Sequence, residues 1–236
     1  MRKRIMMVLL CGTLFCLPLA GCNAKNNTSD PAQNETSASQ ETATTKNKSS
    51  NQEYTSEIFA MDTYMTLTAY GENAKEAVEA GIAEIQRLDN LLSTGKETSE
   101  IYKINQNGGG VLSEDTEYLV KRALDIYQST NGAFDISIYP VMQLWGFTTG
   151  NFAVPGKSEL ADKLALVDAG KISLSEENGQ TSISLPEGME IDLGGIAKGY
   201  TSGRVMEIMK KYGIESAVIN LGGNAHVLGN KTDGSQ

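Results

Sequence analysis

The chain has little histidine and little usable cysteine, and both shortages exclude chemistry. It holds one histidine, His226, and three cysteines, Cys11, Cys16 and Cys22. With no histidine or cysteine partner for His226, zinc clusters and most His-dependent hydrolases are ruled out. His226 alternates with apolar residues near the chain end, which reads as a strand histidine facing solvent or sheet. There is no G-x-x-x-x-G-K-[ST] run, so no P-loop; Lys198 is followed by Gly199 and Tyr200. No G-x-G-x-x-G follows a strand pattern, so a Rossmann site is not expected. Basic charge is also short. The formal net charge is −9, and removal of Arg2, Lys3 and Arg4 with an acid-free leader takes it to −12. That argues against nucleic acid or anionic lipid as an electrostatic partner. A polyanionic ligand would need local compensation from a few lysines, backbone amides or a metal ion.

Long apolar runs are missing except at the N-terminus. Arg2-Lys3-Arg4 precedes an apolar stretch from Ile5 to Ala20, shorter than the roughly 20 apolar residues of a spanning helix. This reads as a secretory leader. It ends in Leu19-Ala20-Gly21-Cys22, which resembles a bacterial lipobox. Residues 1–21 are therefore expected to be a lipoprotein signal peptide, with Cys22 lipidated and the mature chain anchored on the extracytoplasmic face of the membrane. Whether that face is a periplasm or a thick wall stays open. Cys11 and Cys16 leave with the leader, so no intrachain disulfide is available and the exported domain must be stabilised by its core. Residues 22–52 form the tether: from Asn23 to Gln52 there is no aromatic or large aliphatic residue, too little apolar surface to offset the entropy of ordering. Residues 53–236 remain as one domain, long enough for a substantial core.

Periodicity predicts an α+β domain of hairpins and helices packed on antiparallel sheet. Glu57 to Tyr70 reads as a strand pair or one long strand. Ala74 to Leu92 has apolar residues at helical spacing. Ser113 opens a helix that Gly132 ends. Phe134 to Ile138 reads as a strand, and Ser158 to Ala169 as a helix closed by Gly170. Lys171–Ser175 and Thr181–Leu185 form a hairpin across Glu177-Asn178-Gly179, whose Asn-Gly is a strong turn signal. Ile196 to Tyr212 is a helix ended by Gly213. Ser216–Leu221 is a strand, and Gly222-Gly223 turns it into Ala225–Leu228.

The most informative stretch is Asp192-Leu193-Gly194-Gly195-Ile196-Ala197-Lys198-Gly199-Tyr200. A β-rich run, Met189 to Asp192, feeds a glycine pair, and a helical pattern opens at Ile196. A carboxylate, bare backbone and a lysine thus meet at a helix start, where free N–H groups and the helix dipole can hold a phosphate. The segment suggests a nucleotide-type ligand.

Four segments carry a closer likeness. They are Ala60-Met61-Asp62-Thr63; Thr130 to Asp135, continuing through Pro140 to Leu144-Trp145-Gly146-Phe147; Asp192 to Tyr200; and Ile219-Asn220-Leu221-Gly222-Gly223-Asn224. Ser99-Glu100-Ile101 and Ile104-Asn105 fit as well. In this order and spacing the chain resembles the ApbE family, the FAD:protein FMN transferases of the bacterial cell envelope, from about Ile58 onward. The resemblance implies an α+β, T-fold-like architecture. It also implies Mg²⁺-dependent transfer of FMN from FAD to a threonine or serine hydroxyl of a target flavoprotein, with release of AMP. The implied partners are FAD and an envelope electron-transfer flavoprotein as acceptor. Two other readings stay open: a non-catalytic FAD-binding lipoprotein, and an FAD pyrophosphatase giving FMN and AMP.

By the same resemblance, Met61, Ala133, Phe134, Asp135, Asp192 and Lys198 are expected to contact FAD. Gly195 is expected to offer its backbone carbonyl to Mg²⁺, a hard cation that accepts oxygen ligands. Met61 and Phe134 could equally be core residues, and Lys198 a solvated one. Trp145 is read as packing rather than as a flavin stacker. The chain departs from the family pattern at Gly95, where an aromatic contact often follows Ser-Thr. It also stops at Gln236, where relatives continue into a strand-rich segment that supplies side-chain metal ligands and a histidine. The catalytic group stays unassigned, and the chain is read as either a fragment lacking that C-terminal part or a truncated relative, the fragment being the favoured reading.

Overall fold

The computed structural model describes residues 52–230. The leader, Cys22 and the tether as far as residue 51 lie outside the described residues, as do positions 231–236. In chain order the elements are β1 (Glu53–Ala60), β2 (Thr63–Tyr70), α1 (Ala74–Leu92), α2 (Glu100–Asn107), β3 (Gly109–Val111), α3 (Glu114–Ser129), α4 (Tyr139–Leu144), α5 (Lys157–Leu164), β4 (Ser173–Glu177), β5 (Gln180–Ser184), α6 (Gly194–Lys211), β6 (Ser216–Leu221) and β7 (Asn224–Leu228). Short 3-10 turns lie at Ile136–Ile138 and Ala169–Lys171. No helix among the described residues is long and apolar enough to cross a membrane.

The 57–70 region is a strand pair. β1 and β2 run antiparallel from Glu53↔Tyr70 to Ala60↔Thr63, leaving Met61 and Asp62 as a two-residue turn. Both have positive φ, 47° and 61°, the type I′ geometry whose twist matches the strands it joins. β6 pairs with β2 and β7 with β6, giving an antiparallel sheet in the order β1-β2-β6-β7. Alternation decides its faces: Met65, Leu67, Ala69, Ala217, Ile219 and Leu221 are buried, while Tyr64 and Val218 are exposed. Helices α1 and α6 cover the buried face. A second antiparallel sheet has the order β3-β5-β4. Its β4–β5 turn is Asn178-Gly179, again with positive φ at both residues. The strands lie two residues from the first expected span and one from the second, and Glu177 is in the ladder, paired with Gln180.

The interior divides into two clusters. One lies under the four-stranded sheet around Leu67, Ile85 and Ile219. The other gathers Leu88, Ile101, Leu119, Ile191 and Leu193. α1 and α6 each contribute to both, and Met61 packs against both.

Several expectations are corrected. Phe134–Ile138 is not a strand. The Asp135 side chain accepts from the Ser137 N–H at 2.8 Å and winds the chain into a 3-10 turn. The helix expected over 158–169 stops at Leu164, because Asp168 is drawn off the helical path: its N–H donates to Ser137 Oγ at 2.9 Å and its carboxylate accepts from Gly170 N–H at 3.1 Å. Met189–Asp192 forms no strand and belongs to no sheet. α6 opens at Gly194, not Ile196, so the glycine pair lies inside its first turn. α2 and α4 were not anticipated. α2 is capped by Ser99, whose side chain accepts from Tyr102 N–H, and closed by Gly108 at φ 68°. α4 carries Pro140 in its first turn, where the missing N–H costs nothing.

Candidate functional site

A cleft of about 1590 Å³ is lined by the β1–β2 turn, the 92–96 and 132–149 segments and the start of α6. It exceeds the roughly 300–1,000 Å³ typical of drug-sized ligands. Met61, Ala133, Phe134 and Asp135 line one part of its wall, and Asp192, Gly195 and Lys198 another. The fold thus brings all seven residues expected at the site, from three distant segments, to one cavity. A smaller groove of about 610 Å³ over α2 and β3 contains none of them.

Met61 is held from two directions. Its N–H donates to Asp89 Oδ1 at 3.0 Å, and Asp89 Oδ2 pairs with Lys96 Nζ at 2.5 Å. Its sulfur accepts from the Thr201 hydroxyl at 3.8 Å. The left-handed turn is therefore anchored to α1 by its backbone and to α6 by its side chain. Strained backbone of this kind persists only where its surroundings over-determine it. Sequence reasoning missed Asp89 and Thr201. Each is an ordinary polar residue of a helix, and nothing in the local pattern marks it.

Phe134 and Gly195 meet directly. A Cβ on Gly195 would lie 3.0 Å from Phe134 Cε2, so the glycine is where it is because the ring covers it. Asp135 lines the cleft, yet both its oxygens are occupied. Oδ1 accepts from Ser137 N–H and Oγ–H, at 2.8 and 2.6 Å, and Oδ2 accepts from Ala169 N–H at 3.1 Å. The carboxylate ties the 133–137 wall to the 168–170 wall, where Tyr127 OH donates to Asp168 Oδ1 at 2.8 Å.

Asp192 sits at the N-terminal end of α6. Its Oδ1 accepts from Gly194 N–H at 2.7 Å, and its own N–H donates to the Ile136 carbonyl at 2.8 Å. Burial raises its carboxyl pKa above the ordinary aspartate range, opposed by the Gly194 N–H and the Lys198 charge. The open phosphate cradle expected here is largely filled. Gly194 N–H is taken by Asp192, and the N–H groups of Ile196 and Ala197 both donate to the Leu193 carbonyl, at 3.0 and 2.8 Å. Upstream, the Asn105 carboxamide makes a reciprocal pair with Ile191: Nδ2–H to the Ile191 carbonyl at 2.9 Å, and Ile191 N–H to Oδ1 at 2.8 Å.

Lys198 lies half-buried in the second turn of α6 and lines the cleft. Its carbonyl accepts from Asn224 Nδ2–H at 3.4 Å. The Gly222-Gly223 turn closes against the β1–β2 turn: a Cβ on Gly222 would lie 2.5 Å from Thr63 Oγ1, and its φ of 62° already favours glycine. Trp145 is not on the cleft wall. Its ring stacks on Phe147, centroids 6.3 Å apart, and it is Phe147 that reaches the cleft. Gly95 also lines the cleft, so where the family pattern often has an aromatic side chain this chain has only backbone. His226 is exposed on the edge strand β7.

The residues described here do not by themselves fit a Mg²⁺ site. Among them no three His, Cys, Asp or Glu side chains converge, and Gly195 supplies only a backbone oxygen.

Comparison with known proteins identifies the family and the fold. The family model of the ApbE family matches residues 61–236. The chain is 31% identical over 190 residues to an FAD:protein FMN transferase of Klebsiella pneumoniae (strain 342), covering 79% of this chain and 59% of that protein. It is 26% identical over 193 residues to the FAD:protein FMN transferase of Treponema pallidum (strain Nichols), covering 76% and 52%. The crystal structure of the ApbE protein of Thermotoga maritima superposes with a TM-score of 0.70 at 29% identity, over 76% of this chain and 60% of that one. The flavin transferase ApbE of Vibrio cholerae gives a TM-score of 0.69 at 25% identity, over 78% and 62%. The two antiparallel sheets and their packed helices are thus those of an ApbE-type α+β fold. The chain belongs to the ApbE family. It spans a little over half the length of the curated relatives it matches.

Proposed function

We propose that the whole protein is a Mg²⁺-dependent FAD:protein FMN transferase. A threonine or serine hydroxyl oxygen of the acceptor forms a bond to the FMN phosphorus of FAD. The bridging bond of the pyrophosphate breaks, and AMP leaves. The observation that carries this reading is the convergence of the seven family-matched residues on one cleft. Positioning and charge neutralisation supply most of the catalysis in such transfers. In this chain Asp192 and the 133–135 wall would orient FAD, Met61 would lie against the flavin through its polarizable thioether, and Lys198 would offset phosphate charge. Mg²⁺, when bound, supplies further neutralisation of the pyrophosphate. Among the described residues, Gly195 would offer it a backbone carbonyl. The acceptor we infer is an envelope electron-transfer flavoprotein, and the anchor a lipid on Cys22 at the extracytoplasmic face of the membrane.

The test is mass spectrometry of an acceptor flavoprotein domain incubated with the full-length protein, FAD and Mg²⁺, with a parallel sample in EDTA. An FMN-sized adduct that disappears in EDTA is expected. Free FMN and AMP without an adduct would make the protein a pyrophosphatase, and bound FAD without AMP would make it a flavin carrier. A Cys22→Ser protein released from the membrane fraction would support the anchor; one still membrane-bound would refute it.

A further inference from the structure

We propose that Asn105 is the positioning residue of the FAD site, acting on Asp192 through the backbone of Ile191. This rests on the reading of Asp192 as an FAD contact. Asp192 lies on a segment that no strand accompanies, since β5 ends at Ser184 and residues 189–193 join neither sheet. Buried backbone without a ladder partner needs another way to satisfy its polar groups and fix its direction.

The Asn105 carboxamide does both. It lies 86 residues upstream on α2, yet it donates to the Ile191 carbonyl at 2.9 Å and accepts the Ile191 N–H at 2.8 Å. One planar amide thus takes the place of a neighbouring strand. The two contacts fix which end of the amide is oxygen, because the Ile191 N–H needs an acceptor and the Ile191 carbonyl a donor. Ile191 is fully buried and its side chain enters the core beside Ile101 and Leu193. Burial alternates along this segment: Met189, Ile191 and Leu193 are buried, and Asp192 between them is half-buried on the cleft wall. The Asp192 N–H is held in turn by the Ile136 carbonyl at 2.8 Å, one residue beyond the Ala133-Phe134-Asp135 wall. Asn105 on one side and Ile136 on the other therefore set where the carboxylate stands, and Gly194 N–H donates to its Oδ1 at 2.7 Å.

Asparagine is specific in this role. Aspartate keeps the acceptor for Ile191 N–H but loses the donor to its carbonyl. Alanine leaves both Ile191 groups unpaired, and an unpaired buried group costs more than the bond was worth. The experiment is FAD titration by flavin fluorescence on the full chain, for the parent, Asn105→Ala, Asn105→Asp, Asp192→Ala and the Asn105→Ala/Asp192→Ala double variant, each with a urea unfolding curve. Asn105→Ala should weaken FAD binding about tenfold, the scale of one to two net hydrogen bonds, and Asn105→Asp should fall between it and the parent. In the Asp192→Ala background, Asn105→Ala should add less than about twofold, because a residue acting through Asp192 has nothing left to position. Its effect on unfolding should be the same in both backgrounds.

Unchanged FAD affinity in Asn105→Ala would overturn the proposal. So would an equal loss in both backgrounds, which would mark Asn105 as structural only. If Asn105→Ala does not fold, the same cycle run with Asn105→Asp decides. A parent protein that binds no FAD would instead take down the FAD reading itself, and the proposal with it.

Discussion

Asp135 can be tested for two roles at once, because the resemblance makes it an FAD contact while the geometry makes it a tie between two walls. The perturbation is Asp135→Ala, with Asp135→Asn as its partner. Three donors lose their acceptor in the alanine variant: Ser137 N–H at 2.8 Å, Ser137 Oγ–H at 2.6 Å and Ala169 N–H at 3.1 Å. Hydrogen bonds to a charged group contribute about 1.5–3 kcal/mol each. These three share one carboxylate and one loop, so they do not add fully, and a total of about 3 kcal/mol is the reasonable scale. For a domain of this size about 1 kcal/mol moves the thermal midpoint by roughly 2–4 °C, so the expected fall is about 6–12 °C. Asp135→Asn keeps one oxygen for Ser137 but turns an NH₂ toward the Ala169 N–H, and should lose about half as much. The assay is thermal and guanidinium unfolding without ligand, beside FAD titration. A midpoint within 1–2 °C of the parent for Asp135→Ala (roughly half a kcal/mol on the same scale), with FAD binding lost, would refute the wall-tie argument and leave only the ligand contact.

Three further outcomes are expected. For Asp192, burial holds the folded carboxyl pKa above the usual range, so the stability this group adds is present below about pH 4 and is lost as pH rises through the raised value. Asp192→Asn should therefore gain on the parent across that window and hold its advantage to neutrality; urea unfolding at several pH values checks this, and parallel curves would sink it. Gly195→Ala places a Cβ 3.0 Å from Phe134 Cε2 while gaining about 1 kcal/mol of helix propensity. Its thermal midpoint should change little, while FAD titration should show weaker binding as the ring is pushed into the cleft. Ile101→Ala empties a fully buried position on α2, and denaturant unfolding should report a loss of about 2–5 kcal/mol.

Legibility in the sequence followed the source of each element's stability. α1 shows its bounds in its own apolar spacing because buried residues recur along it from Ala74 to Leu92. β6 shows its bounds by strict alternation. α2 escaped because its eight residues bury only Ile101 and Ile104, too few for a period, and its caps at Ser99 and Gly108 set its limits instead. Phe134–Ile138 alternates like a strand, but Asp135 captures the backbone before any neighbour can pair with it. The site divides the same way. Its cleft-facing residues lie in glycine-rich or turn motifs that stand out in one dimension. Asp89, Thr201 and Asn105 act across 28, 140 and 86 residues of chain, and no local pattern encodes a partner at that distance.

The start of α6 shows how occupancy alters a motif's meaning. Glycines at a helix N-terminus suggest phosphate, yet here a carboxylate already stands at that end and takes Gly194 N–H, while Leu193 takes the next two amides beyond Gly195. A phosphate brought there would meet Asp192 as well as the dipole. Compensation must then come from the cleft's cations. Among the described residues, Lys96 and Lys198 are the basic side chains on its wall, and Lys96 is engaged with Asp89 at 2.5 Å and Asn90 at 2.8 Å. That leaves Lys198, on the same helix as Gly195 and about one turn further on, as the side chain that the proposed function would set against the pyrophosphate. Under the proposed function the motif would work less as an anion cradle than as a division of labour: Asp192 would accept hydrogen bonds from the uncharged parts of the ligand, Phe134 and Gly195 would give it a close-fitting wall, and Lys198 would answer its charge.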